Sequence, residues 1–161
     1  MQKVLFLDRD GTINIDYGYV YEIEKFILVD GILDVALAAK QKGYELIVIT
    51  NQSGIERGYY TEEDFQKLTR YMCDLFEKNG TPLLDIFHCP FLSGKDRKPN
   101  SGMFLKACQK YQIDMKNSIS VGDKISDITA ALNAGVGRNY LLSEEKKAGS
   151  IQKITDIIKY L

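Results

Sequence analysis

Two rhythms of apolar residues alternate along this chain. Short unbroken runs read as strands buried on both faces: Lys3 to Asp8, Tyr44 to Thr50 and Ser118 to Asp123. Asp85 to Cys89, stopped by Pro90, and Arg138 to Leu142 bring the expected strands to five. Between them the apolar residues recur every three or four positions, the spacing of a helix face. Gly31 to Lys42 carries Ile32, Leu33, Ala36 and Leu37 on one stripe and stops at Gly43. A longer helix runs from Thr61 through Leu68, Met72, Leu75 and Phe76 to Asn79-Gly80. Its start, Thr61-Glu62-Glu63-Asp64, has the form of a capping box with Asp in place of Glu. Ser101 to Tyr111, Ile125 to Asn133 and a closing helix from Ile151 to Leu161 supply the remainder.

Strands separated by helices predict βαβ units, and so an α/β fold with a doubly wound, mostly parallel, Rossmann-like sheet. The chain has 161 residues without repeats or linkers, which suits a single domain spanning 1–161. Hydrophobic residues make up 45%, enough for a core that needs no staples. In such a sheet, ligands bind beyond the carboxyl ends of the strands. The polar residues after each strand are therefore where the chemistry is to be sought.

Charge narrows the function. Lys plus Arg is 21 and Asp plus Glu is 22, a net charge of -1. That balance argues against binding nucleic acid or a membrane surface through bulk charge. No apolar run reaches the ~18 residues of a membrane span, and the first apolar stretch is too short for a signal peptide. Cys73, Cys89 and Cys108 form no CxxC pair, which fits reduced thiols and a cytoplasmic location. A monomer is the default expectation.

Four strand ends carry polar groups. The first runs into Asp8-Arg9-Asp10-Gly11-Thr12, the second into Thr50-Asn51-Gln52-Ser53-Gly54, and the fourth into Gly122-Asp123-Lys124 with Asp127 one turn on. The loop after the third carries Lys95-Asp96-Arg97-Lys98-Pro99. Clustered carboxylates repel unless a cation neutralises them, and Asp8, Asp10 and Asp123 have no His or Cys beside them. Such a set suits a hard, oxygen-seeking ion, Mg2+ above all. Thr50 and Lys98 can then meet phosphate oxygens, and a carboxylate held against a phosphoryl group can act as nucleophile. Taken singly, each feature also has an ordinary reading. An Asp pair after a strand serves turns, Thr50 to Gly54 is a polar loop, Lys98 is a surface charge, and Asp123 and Asp127 suit a helix start. Their joint occurrence favours chemistry.

Together, Asp8-Arg9-Asp10-Gly11-Thr12, the strand ending Ile47-Val48-Ile49-Thr50, Lys98 and Gly122-Asp123 with Asp127 resemble the haloacid dehalogenase superfamily of aspartate-based phosphohydrolases. The segments Asp16 to Val20, Thr50 to Ile55, Arg57-Gly58, Arg97-Lys98-Pro99 and Val121 to Lys124 resemble a branch of that superfamily acting on sugar phosphates. The histidinol-phosphate phosphatases are near relatives of that branch. The resemblance implies Asp8 as nucleophile and Asp10 as acid and then base. It implies Mg2+ on the Asp8 carboxylate, the Asp10 backbone carbonyl and Asp123, with Thr50 and Lys98 at the phosphate. It further implies substrate contacts from Asp16, Tyr17, Gly18, Tyr19, Asn51, Gln52, Ser53, Arg97 and Lys124. Asp127 is expected to orient Lys98 or Lys124. The substrate would be a small sugar phosphate, with Tyr17, Tyr19, Tyr59 and Tyr60 at the rim of the site. The stretch from Thr12 to Gly31 is too short for the separate cap domain many relatives carry.

Many relatives also bind structural zinc in a Cys/His loop before the Arg-Lys-Pro segment. Here that loop runs Cys89-Pro90-Phe91-Leu92-Ser93-Gly94-Lys95-Asp96-Arg97, and His88 and Cys89 cannot supply four ligands. No structural zinc is expected, and apolar contacts with a turn at Gly94 are expected to hold the loop. A phospho-acceptor receiver domain is the non-enzyme alternative. Its acceptor Asp ends the third strand, where this chain has His88-Cys89-Pro90.

Overall fold

The computed structural model describes residues 1–161. Its centre is a six-stranded sheet in the order β3-β2-β1-β4-β5-β6. The strands are β1 (Lys3–Leu7), β2 (Tyr44–Asn51), β3 (Asp85–Cys89), β4 (Ile119–Gly122), β5 (Arg138–Leu142) and β6 (Ser150–Ile151). Every neighbouring pair is parallel. The strand order reverses between β1 and β4, and that switch point opens a crevice at their carboxyl ends.

Alternation along β1 builds two cores, because successive side chains leave opposite faces of a strand. Leu5 and Leu7 join the side covered by α1 (Ile32–Gln41), α2 (Glu62–Lys78) and a closing 3-10 helix (Ile154–Tyr160). Val4 and Phe6 join the side covered by α3 (Gly102–Tyr111) and α4 (Ile125–Asn133), where Phe6 meets Phe104 edge-on at 5.0 Å. The fold is thus the expected doubly wound α/β sheet without a separate cap domain. Residues 12–31 leave β1 and fold straight back: Ile15 N–H donates to Ile27 O at 2.8 Å and Val29 N–H to Ile13 O at 2.8 Å. No helix is long and apolar enough to cross a membrane.

The start of α2 is the expected capping box: Thr61 Oγ1 accepts from Asp64 N–H at 3.0 Å and the Asp64 carboxylate from Thr61 N–H at 2.9 Å. Three details differ from the sequence expectation. A sixth strand forms, with Ile151 paired to Leu142 and buried. The closing helix consequently starts only at Ile154, where Asp156 accepts from Lys153 N–H at 3.0 Å, and it is 3-10 rather than α. The third is in α1, which turns Ile32, Val35, Ala36 and Ala39 inward and leaves Leu37 43% exposed. Small alanines let that helix sit close to the sheet, which rotates the larger leucine off the contact.

Candidate active site

The switch point gathers the polar residues at its mouth. Asp8 follows β1, and its N–H still donates to Val121 O at 3.1 Å, so the ladder fixes its backbone. The chain then turns tightly, with the N–H groups of Thr12, Ile13 and Asn14 all directed to Arg9 O. Gly11 takes φ +87, and a Cβ there would lie 2.1 Å from Asp123 Oδ2. Glycine is therefore required twice, for the backbone conformation and for the approach of Asp123.

Lys98 lies at the bottom of the crevice, buried. An ammonium has three donors, and all are engaged: Asp8 Oδ1 at 2.8 Å, Ile49 O at 2.7 Å and Asp127 Oδ1 at 2.6 Å. Burial alone would lower its pKa, but Asp8 and Asp127 outweigh that and hold it above the ordinary lysine value. Burial pushes the Asp8 carboxyl well above the usual carboxylate range, against the pull of Lys98, and Asp127 and Asp123 push the same way. Asp123 is raised by burial as well, and by Asp127, with a hydrogen bond to Asp8 opposing.

Oxygens of Asp8, Asp123 and Asp127 lie within 4.8 Å of one another. Both oxygens of Asp127 are engaged, Oδ1 by Lys98 and Oδ2 by Lys124 N–H at 3.0 Å. It clamps the lysine and the start of α4 together. Asp123 Oδ1, in contrast, is buried and has no partner. Three carboxylates against one ammonium, with an orphaned carboxylate oxygen among them, fit a small hard cation.

The Asp10 side chain lies outside that cluster. Its Oδ1 accepts from Arg9 Nη2 and Asn14 Nδ2, both at 3.0 Å, and its Oδ2 accepts from Gln52 Nε2 at 3.0 Å. The Asp10 side chain is thus engaged by protein donors and stands apart from the three clustered carboxylates. Arg9 is only 1% exposed and also donates to Val20 O at 2.6 Å. Sequence reading passed over it, since an arginine between two aspartates looks like a surface flank.

Above the floor is a cavity of about 590 Å3. Asp8, Asp10, Lys98 and Asp127 reach it from below. Of the expected substrate residues, Asp16, Gly18, Tyr19, Asn51, Gln52, Ser53, Arg97 and Lys124 line it. Thr50 is buried, its Oγ1 accepting from Gln52 Nε2 at 2.8 Å. Asn51 binds the main chain of Lys98 at both ends of its amide, accepting from Lys98 N–H at 3.0 Å and donating to Lys98 O at 3.1 Å. Tyr17 does not join them. It is 62% exposed and lines a neighbouring cavity of about 680 Å3 with Tyr21, Ile27 and Tyr59. The rim tyrosines divide accordingly: buried Tyr60 faces the active cavity, exposed Tyr59 faces the second, and Tyr19 lines both.

Arg57 and Ser126 also line the active cavity. Arg57 stood in the Arg57-Gly58 segment of the resemblance without a role, and Ser126 carried no signal in the sequence. Arg57, Arg97 and Lys124 pair with no carboxylate, so three cations face the cavity with their charge uncompensated. That is an anion site.

The loop from Pro90 to Ser101 is held by polar contacts, contrary to the apolar ones expected. Phe91 is 56% exposed and Leu92 43%. The Glu56 carboxylate accepts from Leu92 N–H, Arg97 Nη1 donates to Phe91 O at 3.3 Å, and Asn100 Nδ2 donates to Gly94 O at 2.9 Å. His88 stacks on Phe65 at 4.1 Å and bonds Glu62, while Cys89 enters the other core. Adjacent strand positions point apart, so these two side chains do not converge on one metal.

Comparison with known proteins agrees with this geometry. The family described as polynucleotide kinase 3 phosphatase matches residues 3–158. A D-glycero-alpha-D-manno-heptose-1,7-bisphosphate 7-phosphatase of Campylobacter jejuni is 52% identical over 148 residues, covering 91% of this chain and 86% of that one. A D-glycero-beta-D-manno-heptose-1,7-bisphosphate 7-phosphatase of Haemophilus influenzae is 44% identical over 168 residues, 98% of this chain and 91% of that one. A HAD-like phosphatase structure from Mesorhizobium loti superposes with a TM-score of 0.88 at 28% identity, covering 98% of this chain and 85% of that one. The same TM-score, 0.88, is found at 24% identity with a D,D-heptose 1,7-bisphosphate phosphatase of B. bronchiseptica complexed with magnesium and phosphate, covering 98% and 97%. The chain is therefore a haloacid dehalogenase-like phosphatase and belongs to the polynucleotide kinase 3 phosphatase family.

Proposed function

We propose that this phosphatase removes the 7-phosphate of D-glycero-D-manno-heptose 1,7-bisphosphate. The observation that carries the reading is one cavity that holds both the buried Asp8–Lys98 pair and three cations without carboxylate partners, Arg57, Arg97 and Lys124. The first suits phosphoryl transfer, and the second supplies charge for a second phosphate. The curated relatives named above act on that bisphosphate by name.

Asp8 attacks the phosphorus in line while the bond to the sugar oxygen breaks, leaving an aspartyl-phosphate. Asp10 gives its proton to that leaving oxygen. It then takes a proton from the water that cleaves the aspartyl-phosphate, because the two halves need opposite transfers. Mg2+ fits the Asp8 and Asp123 carboxylates and the Asp10 main-chain carbonyl, and when bound it offsets repulsion between anionic nucleophile and anionic phosphate. Lys98 fixes the Asp8 carboxylate by its direct contact. Arg97 and Arg57 take the far phosphate, Arg97 with a planar fork that matches phosphate oxygens. The three free cysteines support a cytoplasmic enzyme. We take it as one domain and a monomer, serving nucleotide-activated heptose synthesis for glycans such as lipopolysaccharide. The loop after β3 is taken to hold no structural zinc, which elemental analysis of the purified protein checks: near one zinc per chain at that loop would overturn it.

The deciding experiment is phosphate release from both anomers of the heptose bisphosphate, fructose 1,6-bisphosphate and histidinol phosphate. One heptose anomer is expected to lead in kcat/KM by about tenfold or more over the non-heptose substrates. Histidinol phosphate as the best substrate would overturn the assignment.

A further inference from the structure

Gln52 joins two groups that the reaction needs. Its Nε2 donates to Asp10 Oδ2 at 3.0 Å and to Thr50 Oγ1 at 2.8 Å, so both amide hydrogens point toward the reacting centre. A carboxamide has two orientations that differ only in which end faces where. Reversed, Gln52 would present its oxygen to the Asp10 carboxylate, two acceptors face to face.

Something must hold the favourable orientation, and the structure supplies it. The Tyr60 hydroxyl donates to Gln52 Oε1 from the opposite side. Tyr60 is buried and its ring stacks on Tyr21 at 5.3 Å, 14° from parallel. Room for the ring comes from Gly54, where a Cβ would lie 2.2 Å from Tyr60 Cε1 and 2.9 Å from Tyr19 Cδ1. The glycine of Thr50-Asn51-Gln52-Ser53-Gly54 is thus explained by the tyrosine rather than by backbone freedom. Burial pushes the Tyr60 phenol up to about 12, so it stays a neutral donor over any ordinary working range.

We propose that Tyr60 is a positioning residue for Asp10. It fixes the Gln52 amide so that Asp10 Oδ2 and Thr50 Oγ1 each receive one N–H and keep one orientation. This rests on the reading of Asp10 as proton donor and acceptor. Arg9 and Asn14 hold only part of the Asp10 carboxylate, mainly through Oδ1. Oδ2 is held by Gln52 Nε2 at 3.0 Å, with Arg9 Nη2 at a longer 3.2 Å, and the shorter Gln52 contact does most to keep the group from turning about its own bond. Misaligned, the acid no longer meets the leaving oxygen, and proton transfer is the step that suffers.

Tyr60→Phe removes the hydroxyl alone and keeps the ring, its stacking and the Gly54 contact. On an alkyl phosphomonoester that the wild type hydrolyses, kcat should fall by about fivefold to tenfold with KM within about twofold. A leaving group that needs no proton should suffer less. The single-turnover burst of nitrophenol from p-nitrophenyl phosphate is therefore expected to fall by no more than about twofold, the share that passes through Thr50. Gln52→Met, which keeps the length and removes both amide ends, should lose more on both substrates, with the alkyl ester again the more affected. Adding Tyr60→Phe to Gln52→Met should change nothing further, since the hydroxyl acts only through the amide. Equal losses on the alkyl ester and the nitrophenyl burst, or full additivity in the double variant, would overturn the proposal. A wild type inactive on heptose bisphosphates but active on another alkyl phosphate would sink the substrate assignment alone. Asp10→Asn with equal losses on both substrates would sink the acid role on which the proposal stands.

Discussion

The floor and the rim of the active cavity are built by different means. On the floor, every hydrogen of the Lys98 ammonium has a partner, Asp8 is 9% exposed, and Asp127 is engaged at both oxygens. These groups hang from the end of β1, from the first turn of α4 and from one loop residue that Asn51 grips by its main chain. At the rim, Tyr19 is 47% exposed with φ +49, Gly18 has φ +83, and Arg57 and Arg97 have no acidic partner. The lesson is a division of labour. Groups that react are immobilised before substrate arrives, where a small misplacement is costly. Groups that only recognise are left with unmet charge, and substrate completes them.

The comparison breaks first at Asp8. Asp8→Asn keeps the shape and an acceptor for Lys98 but removes the attacking anion. Turnover should drop by about a thousandfold or more while circular dichroism shows the fold intact. More than a tenth of wild-type activity would remove Asp8 from the role of nucleophile.

Lys98→Met tests the floor as a structure. It leaves Asp8, Asp123 and Asp127 crowded without a counter-charge. Removing one partner of a buried ion pair typically costs about 3–5 kcal/mol, which chemical denaturation would register. Mg2+ binding only the folded form should then raise the melting temperature of the variant more than that of the wild type. An equal Mg2+ effect in both would mean that the cation and Lys98 do not share the same carboxylates.

Arg57→Ala and Arg97→Ala probe the rim. Each should raise KM for a sugar bisphosphate by about tenfold and leave kcat nearly unchanged, because the far phosphate is held alike before and during reaction. A sugar monophosphate should be indifferent to both changes. The same rise in KM for mono- and bisphosphates would place these cations at the reacting phosphate instead.

The floor was legible from the strand pattern itself, and the rim came from the resemblance, which misplaced Tyr17 alone among the substrate residues. Asp8, Thr50 and Asp123 follow directly on strands whose apolar runs are unmistakable, so their convergence at the switch point follows from the fold. Asp127, expected to orient Lys98 or Lys124, bonds both. Asn51 was harder: it looks like a ligand contact and proves to grip the Lys98 main chain, which depends on where the loop from Pro90 to Ser101 crosses. The same loop explains the misjudged apolar contacts, for Phe91 and Leu92 carry no periodicity that would show them exposed. The strand Ser150–Ile151 was missed for another reason: two residues are too few for a pattern, and only the free edge of β5 makes them a strand. Tyr60 looked like one rim tyrosine among four. Its hydrogen bond to Gln52 follows from the space beside Gly54, which no linear spacing reveals.

The smallest expected effect is at Tyr17, and it marks where the rim ends. Sequence resemblance placed Tyr17 with Asp16, Gly18 and Tyr19 as a substrate contact. In the folded chain the Asp16 carboxylate accepts from Gly18 N–H at 2.9 Å, a turn that sends neighbouring side chains apart. Tyr19 stands between the two cavities and lines both, with its ring edge-on to Tyr59 at 4.7 Å. Tyr17 goes to the second cavity and to solvent. Tyr17→Ala should accordingly change kcat/KM by less than about twofold and stability by less than about 0.5 kcal/mol, the usual range for an exposed side chain. Tyr19→Ala should do more, raising KM by about fivefold through lost contact with the sugar. Steady-state kinetics of the two variants on one substrate decides the matter. If Tyr17→Ala costs as much as Tyr19→Ala, the substrate reaches into the second cavity, and the rim extends beyond the three cations and the Asp16 to Tyr19 turn.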